Sequence, residues 1–210
     1  MNSEPAPDTQ NQTAFIVEDD PSICEALCDL IDSAGMSTQH YSSAEAFLDA
    51  WTPDMAGCLV LDVRLPGMSG IELQGILTEA GLSFPIIMMT AHGDVPMVRK
   101  AMKAGAVEFL TKPFQDDELL QALEQAFSRD RALRTAKTLE NSILGRVGTL
   151  TPRERQVMEL VTTGITNKEI ADSLDLSLVT VKLYRGQVMG KMQANSLADL
   201  VKMSERIKAP

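Results

Sequence analysis

The sequence predicts an α/β domain with a doubly wound, five-stranded parallel sheet, followed by a small all-α domain of four helices. From residue 14 to residue 127, short apolar runs alternate with amphipathic helical segments, and no tight hairpin signal joins neighbouring runs. Strands that alternate with helices in this way form a parallel sheet with both faces covered. Beyond residue 148, helical patterns with capping signals follow one another without a strand.

The predicted strands and helices of the first part follow in strict order. The strands are expected at residues 14–17, 37–41, 58–61, 85–90 and 107–110. The helices are expected at residues 21–34, 44–51, 71–80 and 95–104, and from residue 116 to beyond residue 127. Pro21 suits the first turn of the first helix. Five strands and five helices fit a doubly wound sheet of the flavodoxin-like kind.

Charge divides the chain into two halves. Residues 1–127 hold 20 Asp and Glu against 5 Lys and Arg, whereas residues 128–210 hold 9 acidic against 14 basic residues. This asymmetry indicates two domains with different partners, a cation for the first and nucleic acid for the second. Residues 1–13 are polar and contain two prolines, which predicts a disordered tail. No apolar stretch is long enough to span a bilayer, so no membrane partner is expected.

Three cysteines predict a reducing compartment, which we take to be the cytoplasm. An odd number excludes a disulfide framework that uses all of them. Cys24 and Cys28 are four residues apart on a predicted helix, and Cys58 lies in a buried strand. Since no histidine stands near them at ligand spacing in the sequence, we expect buried reduced thiols rather than metal or redox chemistry. His40, on a weak strand, receives no role.

Charged and hydroxyl side chains stand where the predicted strands end. Asp19 and Asp20 follow the first strand, Asp62 ends the third, Thr90 ends the fourth, and Lys112 follows the fifth. The ends of parallel strands share one sheet edge, so these groups are expected to converge. Mg²⁺ would neutralise such carboxylates, leaving Asp62 as a candidate nucleophile toward phosphorus, with Thr90 and Lys112 binding the phosphoryl oxygens. Taken singly, the same residues could be helix caps, a strand former and a solvated lysine.

Residues 14–127 resemble the receiver domain of response regulators. The motifs that carry the resemblance are Glu18-Asp19-Asp20, Asp62, Pro66-Gly67-Met68-Ser69-Gly70, Thr90-Ala91 and Lys112-Pro113-Phe114. The resemblance implies that Asp62 accepts a phosphoryl group from a sensor histidine kinase. It implies Mg²⁺ ligands at Asp19, Asp20, Asp62 and the backbone carbonyl of Arg64. It further implies a switch pair, Thr90 and Phe109, and a cis bond between Lys112 and Pro113.

Three positions in this receiver-like half vary within the family. Phe109 stands where many members have tyrosine. Arg64 and His92 each lie two residues beyond a site residue, at positions that in the family tune loss of the phosphoryl group. A general-base role for His92 is an alternative to an ordinary loop histidine.

Residues 128–148 connect the two halves. No proline occurs between Asp116 and Leu150, no glycine occurs before Gly145, and good helix formers dominate residues 128–141. Two interpretations stay open. Either the last helix of the first domain continues as a rod, or the segment is a flexible tether that acts through effective concentration.

The basic half predicts four helices, at residues 152–163, 168–174, 178–192 and 196–207. Thr151, Pro152 and Glu154 form a capping-box pattern at the first helix, and Asn167 is expected to cap the second. The middle pair predicts a helix-turn-helix, with Asp175 in a turn where aspartate tolerates the left-handed conformation. Few helices, positive charge and no nucleophile–base pair favour DNA binding over catalysis.

The second half resembles the LuxR-type DNA-binding domain, expected over residues 149–208. The motifs are Leu150-Thr151-Pro152-Arg153-Glu154, Gly164, Asn167-Lys168-Glu169-Ile170-Ala171 and Thr180-Val181-Lys182. With a receiver in front, the chain resembles the FixJ/NarL family of transcriptional regulators, and within it the FixJ branch. This implies a recognition helix at residues 178–192 that binds double-stranded promoter DNA through Val179, Thr180, Lys182, Arg185 and Gly186. Tyr184 replaces the histidine usual in the family.

The resemblance also implies homodimerisation on phosphorylation and contact with RNA polymerase. No enzymatic turnover is expected beyond accepting and losing the phosphoryl group. Two rival functions remain: a phosphotransfer relay or phosphatase whose basic domain binds protein, and a DNA-binding protein that does not respond to phosphorylation.

Overall fold

Alternating strands and helices build the first half of the protein. The computed structural model describes residues 12–82, 84–91, 93 and 95–208. Within them the strands are β1 (Thr13–Val17), β2 (Ser37–Tyr41), β3 (Gly57–Asp62), β4 (Ile86–Thr90) and β5 (Glu108–Thr111). The helices after them are α1 (Pro21–Ser33), α2 (Ala44–Ala50), α3 (Gly70–Glu79), α4 (Val95–Lys103) and α5 (Asp116–Gly148). The ends of β1–β5 and α1–α4 lie within one residue of their predicted positions.

The strands form one parallel sheet in the order β2-β1-β3-β4-β5. This confirms the predicted doubly wound, five-stranded sheet. Because β1 lies between β2 and β3, the direction of winding reverses between β1 and β3. The carboxyl ends of β1 and β3 therefore border the crevice in which sheets of this kind bind ligands.

Apolar side chains cover both faces of the sheet. Ile16 and Val60 pack on the face covered by α1 and α5, whereas Phe15 and Leu61 pack on the face covered by α2, α3 and α4. Strands β3 and β4 are buried along their whole length, which explains their uninterrupted apolar sequences. Strand β2 is an edge strand and is mostly exposed, which accounts for its weak sequence signal.

Helix α5 continues through the connecting segment to Gly148. On its buried side, Asp130 accepts hydrogen bonds from the backbone nitrogen of Gly57 at 3.0 Å and from Nε2 of Gln12 at 3.2 Å. Gln12 is buried and Thr13 opens β1, so both belong to the folded domain and not to the predicted tail. The rest of that tail, residues 1–11, lies outside the described residues.

The chain divides into two compact units, and the division falls between Leu133 and Arg134, inside α5. This point lies within the predicted linker; the domain bounds at residues 127 and 149 stay predictions, as does a mechanical role for the helical segment. Among the helices that the structure describes, none could span a lipid bilayer.

Four further helices build the second unit around one core. They are α6 (Pro152–Thr162), α7 (Asn167–Leu174), α8 (Leu178–Met192) and α9 (Leu197–Lys208). Val157, Ile170, Val181 and Leu200 are buried together, and the end of α5 contributes Ile143 to the same core. The all-α second part predicted from the sequence is therefore present.

Side chains and backbone conformation define the ends of these helices. Thr151 and Glu154 form the predicted capping box of α6, and Asp175 adopts the left-handed conformation with φ 55°. The prediction that Asn167 caps α7 was wrong, because the cap is Thr166, which exchanges hydrogen bonds with Glu169. A Thr-x-x-Glu pair satisfies two backbone donors at once, whereas an asparagine cap alone satisfies one.

Candidate functional site

Asp62 lies at the carboxyl end of β3, beside the point where the sheet reverses its winding. It keeps only 7% of its surface exposed. Its partner in register on β4 is Met89, and Thr90 is the next residue along that strand. Thr90 pairs with Thr111 on β5, and Lys112 follows directly. The strand register therefore brings Asp62, Thr90 and Lys112 to one edge of the sheet.

The ammonium group of Lys112 joins two buried carboxylates. Its Nζ donates hydrogen bonds to Oδ2 of Asp62 and to Oε2 of Glu18, each over 2.5 Å. Burial lowers the pKa of Lys112, but the hydrogen bonds and charges of Asp62 and Glu18 outweigh burial and raise this pKa above its ordinary value. Lys112 is therefore a cation held against Asp62. The bond from Lys112 to Pro113 is cis, as the resemblance implied.

Glu18 is a site residue that the sequence analysis missed. It directly follows β1, keeps only 3% of its surface exposed and holds the second carboxylate on Lys112. The site was predicted instead at Asp19 and Asp20, the two acidic residues that follow. The position of Glu18 could have identified it, because the first residue after a buried strand lies nearest to the edge of the sheet.

The loop after β3 folds back tightly on Asp62. The backbone nitrogen of Arg64 donates to Oδ1 of Asp62 over 2.8 Å, while the Arg64 side chain is exposed. The backbone nitrogen of Gly70 donates to the carbonyl of Val63 over 3.0 Å. A Cβ atom on Gly70 would lie 2.2 Å from the carbonyl oxygen of Asp62, so only glycine permits this approach. Both oxygens of the Asp62 carboxylate are thus held in place by hydrogen bonds.

Thr90 and Phe109 meet beside Gly93. Thr90 is fully buried, and the ring of Phe109 packs against the core on the face covered by α2, α3 and α4. A Cβ atom built on Gly93 would lie 2.9 Å from Cε1 of Phe109 and 3.3 Å from Cγ2 of Thr90. Thr90 and Phe109, the predicted switch pair, therefore both border the space beside Gly93. His92, for which a general-base role was an alternative, lies outside the described residues.

Asp19 and Asp20 are both exposed at the start of α1. The side chain of Asp20 caps α1, accepting from the backbone nitrogens of Ser22 at 2.8 Å and Ile23 at 3.4 Å. The carboxylate oxygens of Asp19, Asp20 and Asp62 do not all lie within 4.8 Å of one another. The donors are nevertheless hard oxygens beside a negatively charged cleft, which is the chemistry that Mg²⁺ requires. The chemistry of these residues therefore suits Mg²⁺, and the ligand set itself stays a prediction.

In the second unit, α8 presents one exposed face. Val181, Val188 and Met192 are buried in the core of the unit. Val179, Lys182 and Gly186 lie on the opposite side and are exposed, Val179 by 77%. Leu183 extends this face and is 59% exposed. Such a face is what a recognition helix offers to the major groove.

The remaining two predicted contact residues also have partners within the unit. Arg185 is half-buried, and its guanidinium donates a hydrogen bond to Oδ1 of Asn167, which ties α8 to the first turn of α7. Thr180 is half-buried, and its hydroxyl lies 2.8 Å from that of Ser177, the residue that caps α8. The contact between Arg185 and Asn167 joins the two helices of the helix-turn-helix, and the contact between Thr180 and Ser177 lies within the cap of α8. The DNA contacts themselves stay predictions.

An aspartate at the switch point of a five-stranded parallel sheet, paired with lysine and followed by a helix-turn-helix unit, defines a receiver joined to a DNA-binding domain. The family described as "Response regulator receiver domain" matches residues 14–124, and "Bacterial regulatory proteins, luxR family" matches residues 148–204. The first match covers more than half of the chain. The protein therefore belongs to the response regulators, in the group that carries a LuxR-type DNA-binding domain.

Individual relatives agree with this family. The chain is 49% identical to nodulation protein W of Bradyrhizobium diazoefficiens over 193 residues, which covers 92% of this chain and 85% of that protein. It is 45% identical to the transcriptional regulatory protein FixJ of the same organism, covering 91% of this chain and 94% of FixJ. Among solved structures, the response regulator StyR matches with a TM-score of 0.82 and 45% identity over 93% of this chain and 99% of StyR. These matches confirm the FixJ-like resemblance.

Proposed function

We propose that the protein is a phosphorylation-activated, DNA-binding transcriptional regulator of a two-component system, with Asp62 as the residue that accepts the phosphoryl group. The observation that supports this most directly is the buried Asp62, held by Lys112 at the switch point of the sheet. A sensor histidine kinase is the proposed donor, because a phosphohistidine supplies the phosphoryl group in this family.

In the proposed transfer, one carboxylate oxygen of Asp62 attacks phosphorus. The new O–P bond forms as the N–P bond to the kinase histidine breaks, and an acyl phosphate results. The ammonium group of Lys112 is already hydrogen bonded to Asp62, so it is placed to neutralise the incoming phosphoryl oxygens. The Thr90 hydroxyl supplies a further donor from the adjacent strand. Return to the resting state needs attack by water on phosphorus, which breaks the bond between the Asp62 oxygen and phosphorus and releases inorganic phosphate.

We further propose that Asp19, Asp20, Asp62 and the backbone carbonyl of Arg64 hold Mg²⁺. When bound, this ion supplies positive charge against the oxygens of the phosphoryl group. Two observations support the fit: the donors are all oxygens, and the buried Asp62 and Glu18 already require a cation in the form of Lys112. Lys112 alone leaves this cleft with negative charge.

The proposed signal travels through Thr90 and Phe109. A phosphoryl group on Asp62 draws the Thr90 hydroxyl toward it, and Phe109 turns into the space that Thr90 leaves. Because Phe109 lies on β5, this movement alters the surface formed by α4, β5 and the start of α5. Val95 on α4 is 78% exposed and Met102 40% exposed, so this surface offers apolar area for a homodimer.

Dimerisation gives the DNA-binding domain its affinity. One small domain contacts few phosphates and binds weakly, whereas two linked copies gain by avidity. In the proposed complex, α8 lies in the major groove and presents Val179, Thr180, Lys182, Arg185 and Gly186. RNA polymerase is the proposed further partner at the promoter, and the cytoplasm the proposed compartment. The chain performs no catalytic turnover beyond gaining and losing its phosphoryl group.

The decisive experiment compares Asp62→Asn with Asp49→Asn, which removes an exposed carboxylate from α2. Acetyl phosphate with Mg²⁺ should label the wild type and Asp49→Asn but not Asp62→Asn. Labelling should raise the dimer fraction in analytical ultracentrifugation and the affinity for promoter DNA in a gel shift. Undiminished phosphate-dependent DNA binding by Asp62→Asn would contradict the proposal. Absence of DNA binding in every phosphorylation state would favour the relay or phosphatase alternative.

A further inference from the structure

Two cysteines of α1 and a histidine of β2 meet on the flank of the receiver. Cys24 and Cys28 lie one turn apart on α1, so both point to the same side of this helix. His40 lies on β2 opposite Ile16 of β1, and Ile16 packs in the same core cluster as Cys24. Because residues in register share a face of the sheet, His40 projects toward α1.

The ligand atoms of these three residues form a compact group. The two sulfur atoms and one imidazole nitrogen all lie within 4.8 Å of one another, and this is the one such group of three His, Cys, Asp or Glu within the residues described. Ligand atoms on a tetrahedral zinc ion are separated by about 3.7 Å, given bonds of about 2.0–2.3 Å. The side chains therefore need to close by at most about 1 Å to bind such an ion. Sequence spacing alone did not show a histidine near the cysteines, because the contact arises from the strand register.

The chemistry of the donors selects the class of ion. Two thiolates and one imidazole are soft to borderline ligands, which suit Zn²⁺ and not Mg²⁺. Three protein ligands leave a fourth position for water or an external ligand. Burial is graded across the group: Cys24 is buried, Cys28 is half-buried and His40 is exposed. An ion can therefore enter from the solvent side while the inner sulfur is shielded.

The two thiols also interact with each other. Burial, followed by the charge of Cys28 and a hydrogen bond with it, raises the pKa of Cys24 to about 11. A cation bound by two thiolates takes the place of both thiol protons, so binding should release protons to the solvent.

We propose that Cys24, Cys28 and His40 bind one ion of the Zn²⁺ class and thereby join α1 to the edge strand β2. The site is separate in chemistry from the proposed Mg²⁺ site, because it offers sulfur and nitrogen where the other offers oxygen. Binding would stabilise the receiver through a link between an edge strand and the helix that covers it.

Cobalt serves as the probe, because thiolate ligands give Co²⁺ an intense charge-transfer absorption that carboxylates do not give. The full-length protein, kept reduced and with Mg²⁺ in large excess to occupy the oxygen ligands, is titrated with Co²⁺. One Co²⁺ per chain should bind with the thiolate spectrum, and Zn²⁺ should displace it. Cys28→Ser and His40→Gln should each weaken binding at least tenfold. Cys58→Ala, which removes a fully buried cysteine outside the group, should leave the titration unchanged.

A second measurement reports on structure. Zn²⁺ should slow amide hydrogen exchange in β2 and α1 of the wild type and not of His40→Gln, while phosphorylation by acetyl phosphate proceeds in both. The proposal is overturned if no stoichiometric Co²⁺ binds, or if the thiolate spectrum survives unchanged in both ligand variants. It is also overturned if the reduced protein takes up no metal and mild oxidation removes two free thiols, since the cysteines would then form a redox pair.

Discussion

Two glycines on α3 differ in what a side chain would meet. A Cβ atom on Gly70 would lie 2.2 Å from the backbone oxygen of Asp62, whereas a Cβ atom on Gly75 would meet nothing within 4 Å. We expect Gly70→Ala to lower the free energy of unfolding by about 1–3 kcal/mol, because the start of α3 must move. Labelling of Asp62 by acetyl phosphate should slow with it.

Gly75→Ala is the matched control for this change. It places the better helix former in the same helix and should stabilise the protein by about 0.5–1 kcal/mol, with labelling unchanged. Denaturant unfolding and labelling with radioactive acetyl phosphate measure both effects. Equal effects of the two variants would show that the close approach of Gly70 to Asp62 limits neither stability nor labelling.

Glu154 makes the stability of the second unit depend on pH. Its side chain accepts a hydrogen bond from Lys191 over 2.6 Å and caps the start of α6. The hydrogen bond from Lys191 and those from Thr151 lower the pKa of Glu154 below its ordinary value of 4.5. The folded state therefore binds fewer protons than the unfolded state, so the contribution is present above about pH 4.5 and is lost as the pH falls through the folded pKa.

We expect this loss to be visible as faster amide exchange in α6 and α8 on acidification, after correction for intrinsic rates. Glu154→Gln should be less stable than the wild type at neutral pH, and the difference between them should shrink as the pH falls. Glu159→Gln, on the exposed side of the same helix, should keep the wild-type pH profile. A constant difference between wild type and Glu154→Gln across this range would contradict the linkage.

At the scale of the elements, the turn of the helix-turn-helix carries backbone strain at Asp175. Its φ of 55° lies in the left-handed region, where a residue with a Cβ atom is disfavoured. Asp175→Gly should stabilise the second unit by about 0.5 kcal/mol, while Asp175→Val should destabilise it by about 1 kcal/mol or more. Asp172→Gly, in the interior of α7, should instead destabilise the second unit, because glycine weakens a helix. Hydrogen exchange in α7 and α8 distinguishes these outcomes.

Elements of this protein could be predicted because local signals and tertiary packing agree. The apolar residues of β3 and β4 are buried on both faces, so their sequences are unambiguous. The cap of α7 was misassigned because Asn167 and Thr166 are both good capping residues, and only the reach of Glu169 decides between them. The helical state of residues 128–148 could not be decided from propensity alone.

The sequence identified those site residues that stand at the end of a predicted strand or directly after it. Asp62, Thr90 and Lys112 follow directly from the parallel sheet. Glu18 also directly follows a strand, but the choice between it and the next two acidic residues depends on its contact with Lys112, from which it is separated by 94 positions. His40 was missed for the same kind of reason, since the register of β2 against β1 brings it to the cysteines. Contacts between distant segments are what a single sequence does not display.

At the scale of the whole molecule, charge separates the two tasks. The first 127 residues hold 20 acidic against 5 basic side chains, so this half repels DNA and attracts cations. The remaining residues hold 14 basic against 9 acidic side chains, so attraction to DNA arises from the second half. A modest basic excess gives only weak binding of a single copy at physiological salt, and this supports the proposal that dimerisation raises the affinity for DNA.

The salt dependence of DNA binding tests which lysines carry that attraction. Lys182 lies on the exposed face of α8, whereas Lys202 is exposed on α9. If Lys182 contacts a phosphate, Lys182→Ala should weaken binding to every DNA sequence. It should also reduce the slope of log affinity against log salt by about 0.9 for each bound copy, and so by about 1.8 for a dimer.

Lys202→Ala removes the same charge elsewhere in the unit and should leave the slope unchanged. Fluorescence anisotropy across a salt series measures both variants on the phosphorylated protein. Equal slopes for all three proteins would show that α8 does not bind the DNA backbone through Lys182.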